Sequence, residues 1–178
     1  MFDYKNYFDK FCRDNQLKLS LSHDMPNGYE TANGMFDVAT KILYINREML
    51  KDFPDFEQCF YLFHELRHGI QYLCPSQFDD KIIKSLQYVI MFDGTCYKLV
   101  DGEYLECILQ GDEEYFSRLY KGQPYEVDAN KFAYEQVKSV YGFSRELQEL
   151  YDFWMLAEDA DWSEYEELYS LIDKKLGI

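Results

Sequence analysis

The stretch Tyr61-Leu62-Phe63-His64-Glu65-Leu66-Arg67-His68-Gly69-Ile70-Gln71-Tyr72 sets two histidines four residues apart, with a glutamate directly after the first. On an α-helix such residues lie one turn apart on the same face, so both imidazoles can reach one tetrahedral metal ion, the pattern of a zinc site. Glu65 is turned about 100° around the helix from His64. It is badly placed as a third ligand of that ion but well placed to reach a water beside it and accept its proton. Reading 56–73 at the same rotation puts Cys59, Leu62, Leu66, Ile70 and Leu73 on one face, with Glu57, His64, His68 and Gln71 roughly opposite. The pattern predicts a central helix that packs on one side and carries metal on the other. The bland alternative is a chance arrangement of core or surface histidines. Against it, the protein has 3 histidines in all, and two of them occupy the motif.

A chain of 178 residues suits one domain, 1–178, with a sizeable core, and 47% hydrophobic with 19% aromatic residues argues for a folded globule. Lys and Arg number 18 against 33 Asp and Glu, a net charge of −15. Such a surface repels phosphate backbones and anionic lipid, so neither a nucleic acid nor a membrane is expected as partner. Cys12, Cys59, Cys74, Cys96 and Cys107 are odd in number and contain no C-x-x-C, which points away from a disulfide framework and toward a reducing compartment. The start, Met1 to Tyr7, lacks the basic and apolar regions of a signal peptide, and no run reaches transmembrane length. The expected location is the cytoplasm.

Along the chain, Tyr4, Tyr7, Phe8 and Phe11 form a helical stripe over 3–15, and Leu17 to Ser22 alternates with the period of a strand. His23 lies outside the motif and reads more readily as a loop histidine than as a ligand. Pro26-Asn27-Gly28 and Asn33-Gly34 are turn signals, and Lys41 to Asn46 is strongly β-prone. Together these predict a small antiparallel sheet ahead of the metal helix. The 41–46 strand is either an edge that holds a peptide substrate by strand addition or an ordinary core strand. Asp79 to Ile90 reads as a helix. Asp93-Gly94 and Asp101-Gly102 signal hairpin turns, with a helix over 105–120 as competitor. Helices are expected over 144–158 and 163–176, the latter opened by a Ser163-x-x-Glu166 capping box.

The second informative stretch is Gly122-Gln123-Pro124-Tyr125-Glu126-Val127-Asp128-Ala129-Asn130-Lys131-Phe132-Ala133. Proline near the first helical position and acids in the first turn mark a helix start. Glu126, Ala129, Ala133 and Val137 share a face, and the alanines let this helix approach another closely. The glutamate could then reach across as a third metal ligand, or simply complement the helix dipole; the residues alone fit both.

The two stretches in order, His-Glu-Leu-Arg-His and then Pro-Tyr-Glu-Val-Asp-Ala-Asn-Lys-Phe-Ala, resemble the ImmA/IrrE-type zinc metallopeptidases. The interval between them is long for that family, and 75–120 has no counterpart in it. The resemblance implies an α+β, zincin-like single domain, with a small antiparallel sheet, a central metal helix and a helical C-terminal half. It implies Zn2+ held by His64, His68 and Glu126, with Glu65 as catalytic base. The implied activity is hydrolysis of peptide bonds in an intracellular protein, such as a regulator of a phage or mobile element. An oxyanion donor is also required, and Tyr120 and Tyr125 lie near the second motif without being singled out. The rival is a zinc-binding structural or interaction module that cuts nothing; a chain that binds no metal is the third possibility.

Overall fold

The computed structural model describes residues 2–158 and 160–178. The chain is α+β, with two small three-stranded sheets and a mostly helical C-terminal half. Contacts divide it into two compact units, Met1–Pro75 with Ala129–Tyr151, and Ser76–Asp128 with Asp152–Ile178.

In the first unit, helix α1 (Tyr4–Asp14) opens where the Asp3 side chain accepts from the Asn6 amide, and it buries Tyr4, Phe8, Phe11 and Cys12. The stripe seen in the sequence is therefore core. Strands β1 (Ser20–Ser22), β2 (Gly34–Asp37) and β3 (Ile42–Ile45) form a sheet in the order β1-β3-β2. β3 runs parallel to β1 and antiparallel to β2, so the sheet is mixed rather than antiparallel. The 41–46 run is its central strand, with Leu43 and Ile45 fully buried. Its edges are β1 and β2, and β2 begins at Gly34, where the sequence showed only a turn. The alternation from Leu17 becomes strand only at Ser20, because the Leu17 amide instead donates to Cys12 O at the end of α1.

Asn46 caps the short helix α2 (Arg47–Leu50), and the long helix α3 (Asp55–Leu73) follows. α3 packs against α1, β2 and β3. The one-sided amphipathic helix expected over 56–73 is corrected here. Phe60, Tyr61 and Phe63 are buried as well as Leu62, Leu66 and Ile70. Phe63 meets Phe11 edge-on at 5.7 Å and Phe132 at 6.5 Å, so an aromatic cluster encloses a side that the helical wheel left open. Phe132 belongs to α6 (Pro124–Tyr141), whose Ala129, Ala133 and Val137 are fully buried, and α7 (Arg145–Trp154) follows it.

In the second unit, α4 (Asp80–Ser85) is followed by a meander of β4 (Tyr88–Ile90), β5 (Thr95–Val100) and β6 (Glu103–Ile108). The helix expected over 79–90 thus stops at Ser85. Residues 88–90 pair with 96–98, and tertiary pairing overrides a helical spacing that was equally consistent with the residues. The hairpin over Asp101-Gly102 forms, with both residues at positive φ (52° and 88°), as a two-residue primed turn requires. Helix α5 spans Glu113–Gly122 and α8 Trp162–Leu176. The α8 cap is Asp161, accepting from the Ser163 amide, instead of the capping box expected at Ser163. Tyr88 stacks on Tyr169 at 4.0 Å in a core with Ile90, Phe116, Leu119 and Tyr165. No helix among the described residues is long and apolar enough to cross a membrane.

Candidate metal centre

His64 and His68 lie one turn apart in the middle of α3, as their spacing requires. Their rings stand at 90° with centroids 4.6 Å apart, and the two Nε2 atoms are 3.0 Å from each other. His64 Nδ1 is 2.9 Å from Asn130 Oδ1, and His68 Nδ1 is 2.8 Å from Gln71 Oε1. An amide oxygen can only accept, so each Nδ1 must carry the proton and donate it. With Nδ1 carrying its proton, Nε2 is the atom of each ring that remains for a metal ion or for a second proton. At 3.0 Å the two Nε2 atoms need a positive centre, a proton or a metal ion, because two bare lone pairs at that distance repel.

Glu126 occupies the first turn of α6, is 5% exposed, and lies one turn before Asn130 on the same helix. His64, His68 and Glu126 each offer one ligand atom, and these atoms all lie within 4.8 Å of one another. Tetrahedral zinc with bonds of about 2.0–2.2 Å puts its ligands roughly 3.3–3.6 Å apart, so the spread is of the right order. A single proton shared by the imidazoles would account for the Nε2 separation, with the Glu126 carboxylate as its counter-charge, and a metal ion in place of that proton would use the same three groups. Two imidazoles, one carboxylate and amide oxygens fixing the imidazole tautomers fit a divalent metal ion.

Glu65 is 8% exposed and lies against the edge strand. A Cβ built on Gly34 would fall 2.6 Å from Glu65 Cγ, 2.9 Å from Oε1 and 3.0 Å from Cδ. The strand therefore passes the carboxylate at a distance that only glycine allows. His23 lies outside the group: its Nδ1 is 3.1 Å from Ile45 O and its ring packs edge-on against Tyr4. Burial holds its pKa below the usual histidine value, against the opposing pull of the Ile45 carbonyl. On α3, Cys59 is fully buried, burial pushes its thiol up to about 12, and it lies outside the His64, His68 and Glu126 group. Tyr125 is buried and Tyr120 packs against Phe92, with ring centroids 4.3 Å apart and planes tilted by 35°.

The structure thus brings together His64, His68 and Glu126, and it adds Asn130, Gln71 and Gly34, for which the sequence suggested no role. Two of the three left a trace. Gln71 follows His68 by three residues and Asn130 follows Glu126 by four, so each carboxamide shares a face with a candidate ligand. Gly34 left none, since its importance depends on what passes it in space. No protein-family model matches this chain, and neither a curated protein nor a solved structure matches it.

Proposed function

We propose that this chain is a zinc-dependent peptidase of the ImmA/IrrE type, cleaving a cytoplasmic protein or peptide. The observation that supports it most is the pair of Nε2 atoms 3.0 Å apart, with each Nδ1 bonded to an amide oxygen, of Asn130 or Gln71, and the Glu126 carboxylate in the same group. His64, His68 and Glu126 would hold the ion. Zinc bound there supplies Lewis acidity toward a peptide carbonyl and makes water nucleophilic at neutral pH. Glu65 accepts the proton of the attacking water and passes it to the leaving amine, so the base is restored with each turnover. Edge strand β2 pairs only with β3 among the described residues, leaving its outer side for an extended peptide to add as a further strand. The acidic chain favours a protein substrate over nucleic acid or membrane, and a phage or mobile-element regulator is the substrate that the resemblance suggests.

The rival, a zinc-binding module without catalysis, has no use for Glu65, a buried carboxylate next to His64 that is not one of the three proposed ligands. Metal content by mass spectrometry, with and without His64→Ala, tests the site; about one zinc per chain in wild type and loss in the variant are expected. Glu65→Gln should retain zinc and fold while turnover drops about 10²- to 10⁴-fold. Turnover is read as fragments of co-expressed candidate proteins. Fragments that persist unchanged with Glu65→Gln would favour the non-catalytic module.

A further inference from the structure

Gly34 sits at the first position of edge strand β2, paired with Ile45 of β3. Its φ is not in the left-handed region, so the backbone there suits any residue. Glycine inside a strand is otherwise unfavourable, since it loses more chain entropy on folding and packs no side chain. The reason for it must be space. The three atoms that its missing Cβ would meet first, at 2.6, 2.9 and 3.0 Å, all belong to Glu65.

The strand is not free to retreat. Asn46 Nδ2 donates to Glu30 O at 2.8 Å and to Ala32 O at 2.9 Å, and the Asn46 amide donates to Asn33 O at 2.9 Å. These bonds clamp the chain immediately before Gly34 to the buried end of β3. If a side chain were present at 34, the Glu65 side chain would have to give way.

We infer that Gly34 is a positioning residue: by lacking a Cβ it lets the Glu65 carboxylate lie against the edge strand, and it thereby sets where that carboxylate stands relative to the His64–His68 pair. The inference rests on the peptidase reading for its functional consequence, but the contact itself can be tested without it. Any side chain at 34 moves the carboxylate while leaving His64, His68 and Glu126 in place. Gly34→Ala should therefore act through Glu65 alone.

The experiment is a double-mutant cycle on the full chain. In wild type, Gly34→Ala lowers the melting temperature. In Glu65→Ala, which removes all three atoms that the new Cβ would meet, the same substitution raises it by about 1–3 °C, the ordinary benefit of replacing a glycine whose backbone suits alanine. A merely structural glycine would lower it in both backgrounds, and that result overturns the inference. The second arm uses cobalt-substituted protein and follows its visible absorption band with pH. Gly34→Ala should move the midpoint of the pH-dependent change, and should not move it further in Glu65→Ala, while metal stoichiometry stays at the wild-type level. Additive shifts, or metal lost in Gly34→Ala, would refute positioning through Glu65. If wild type takes up neither cobalt nor zinc, the peptidase reading fails while the melting-temperature cycle still reports on the contact.

Discussion

Asn130→Ala should weaken zinc binding about 10- to 100-fold without unfolding the chain, the usual effect of removing a partner that orients a metal-binding histidine. Asn130 is 2% exposed, and its Oδ1 accepts from His64 Nδ1 at 2.9 Å. With alanine in its place, the proton is no longer held on Nδ1. His64 can move it to Nε2 and donate to His68 Nε2, already 3.0 Å away, so the donor atom intended for metal is used in a hydrogen bond. A second route gives the same magnitude: a buried donor left without an acceptor costs about 1–3 kcal/mol, and each tenfold in affinity is about 1.4 kcal/mol. Asn130→Asp keeps the acceptor and adds charge behind the imidazole, so it should hold zinc at least as tightly as wild type. The assay is competition for zinc against a chromophoric chelator at fixed pH, with melting temperature recorded for each variant. Unchanged affinity in folded Asn130→Ala, or an Asp variant as weak as the Ala one, would refute the tautomer argument.

Glu126→Ala should lose zinc sharply while Asp128→Ala, two residues on and half-buried, retains it; stoichiometric zinc in Glu126→Ala would remove the third ligand. Tyr169→Phe should stabilise the chain by about 1 kcal/mol, because the Tyr169 hydroxyl is buried with no hydrogen-bond partner among the described residues while its ring stacks on Tyr88. Thermal melts check this, and a marked loss of stability would show that the hydroxyl is satisfied. For His23 the folded pKa lies below its unfolded value, because burial disfavours the charged ring. The unfolded chain therefore binds more protons, and the His23 contribution to stability is fully present above the unfolded value, about 6.5, and is lost as pH falls from there through the folded pKa. Denaturant melts of metal-free wild type and His23→Gln should diverge in that sense, and a pH-independent difference would contradict it.

Within elements, much could be read in advance. The α1 stripe, the β3 run, the Asp101-Gly102 hairpin and the start of α6 at Pro124 each depend on residues close in sequence, and each formed. The errors share a cause. Residues 88–90 and 34–37 are strands because of the partners they meet, and Leu17 failed to extend β1 because its amide was already engaged at the end of α1. The wheel for α3 failed in a related way: periodicity shows one preferred face, but the Phe11, Phe63 and Phe132 cluster covers another.

The same division runs through the candidate site. That His64 and His68 face one point follows from sequence alone, because the hydrogen-bonded helix places residues i and i+4 on one side whatever surrounds it. That Glu126 joins them was one of two open readings until the fold placed its carboxylate near the imidazoles. Which nitrogen of each ring faces the other imidazole depends on Asn130 and Gln71, and where Glu65 stands depends on a strand that passes it without a side chain. Such relations are distances between atoms far apart in the chain or on neighbouring turns. Backbone geometry fixes only the local ones, and packing decides the rest.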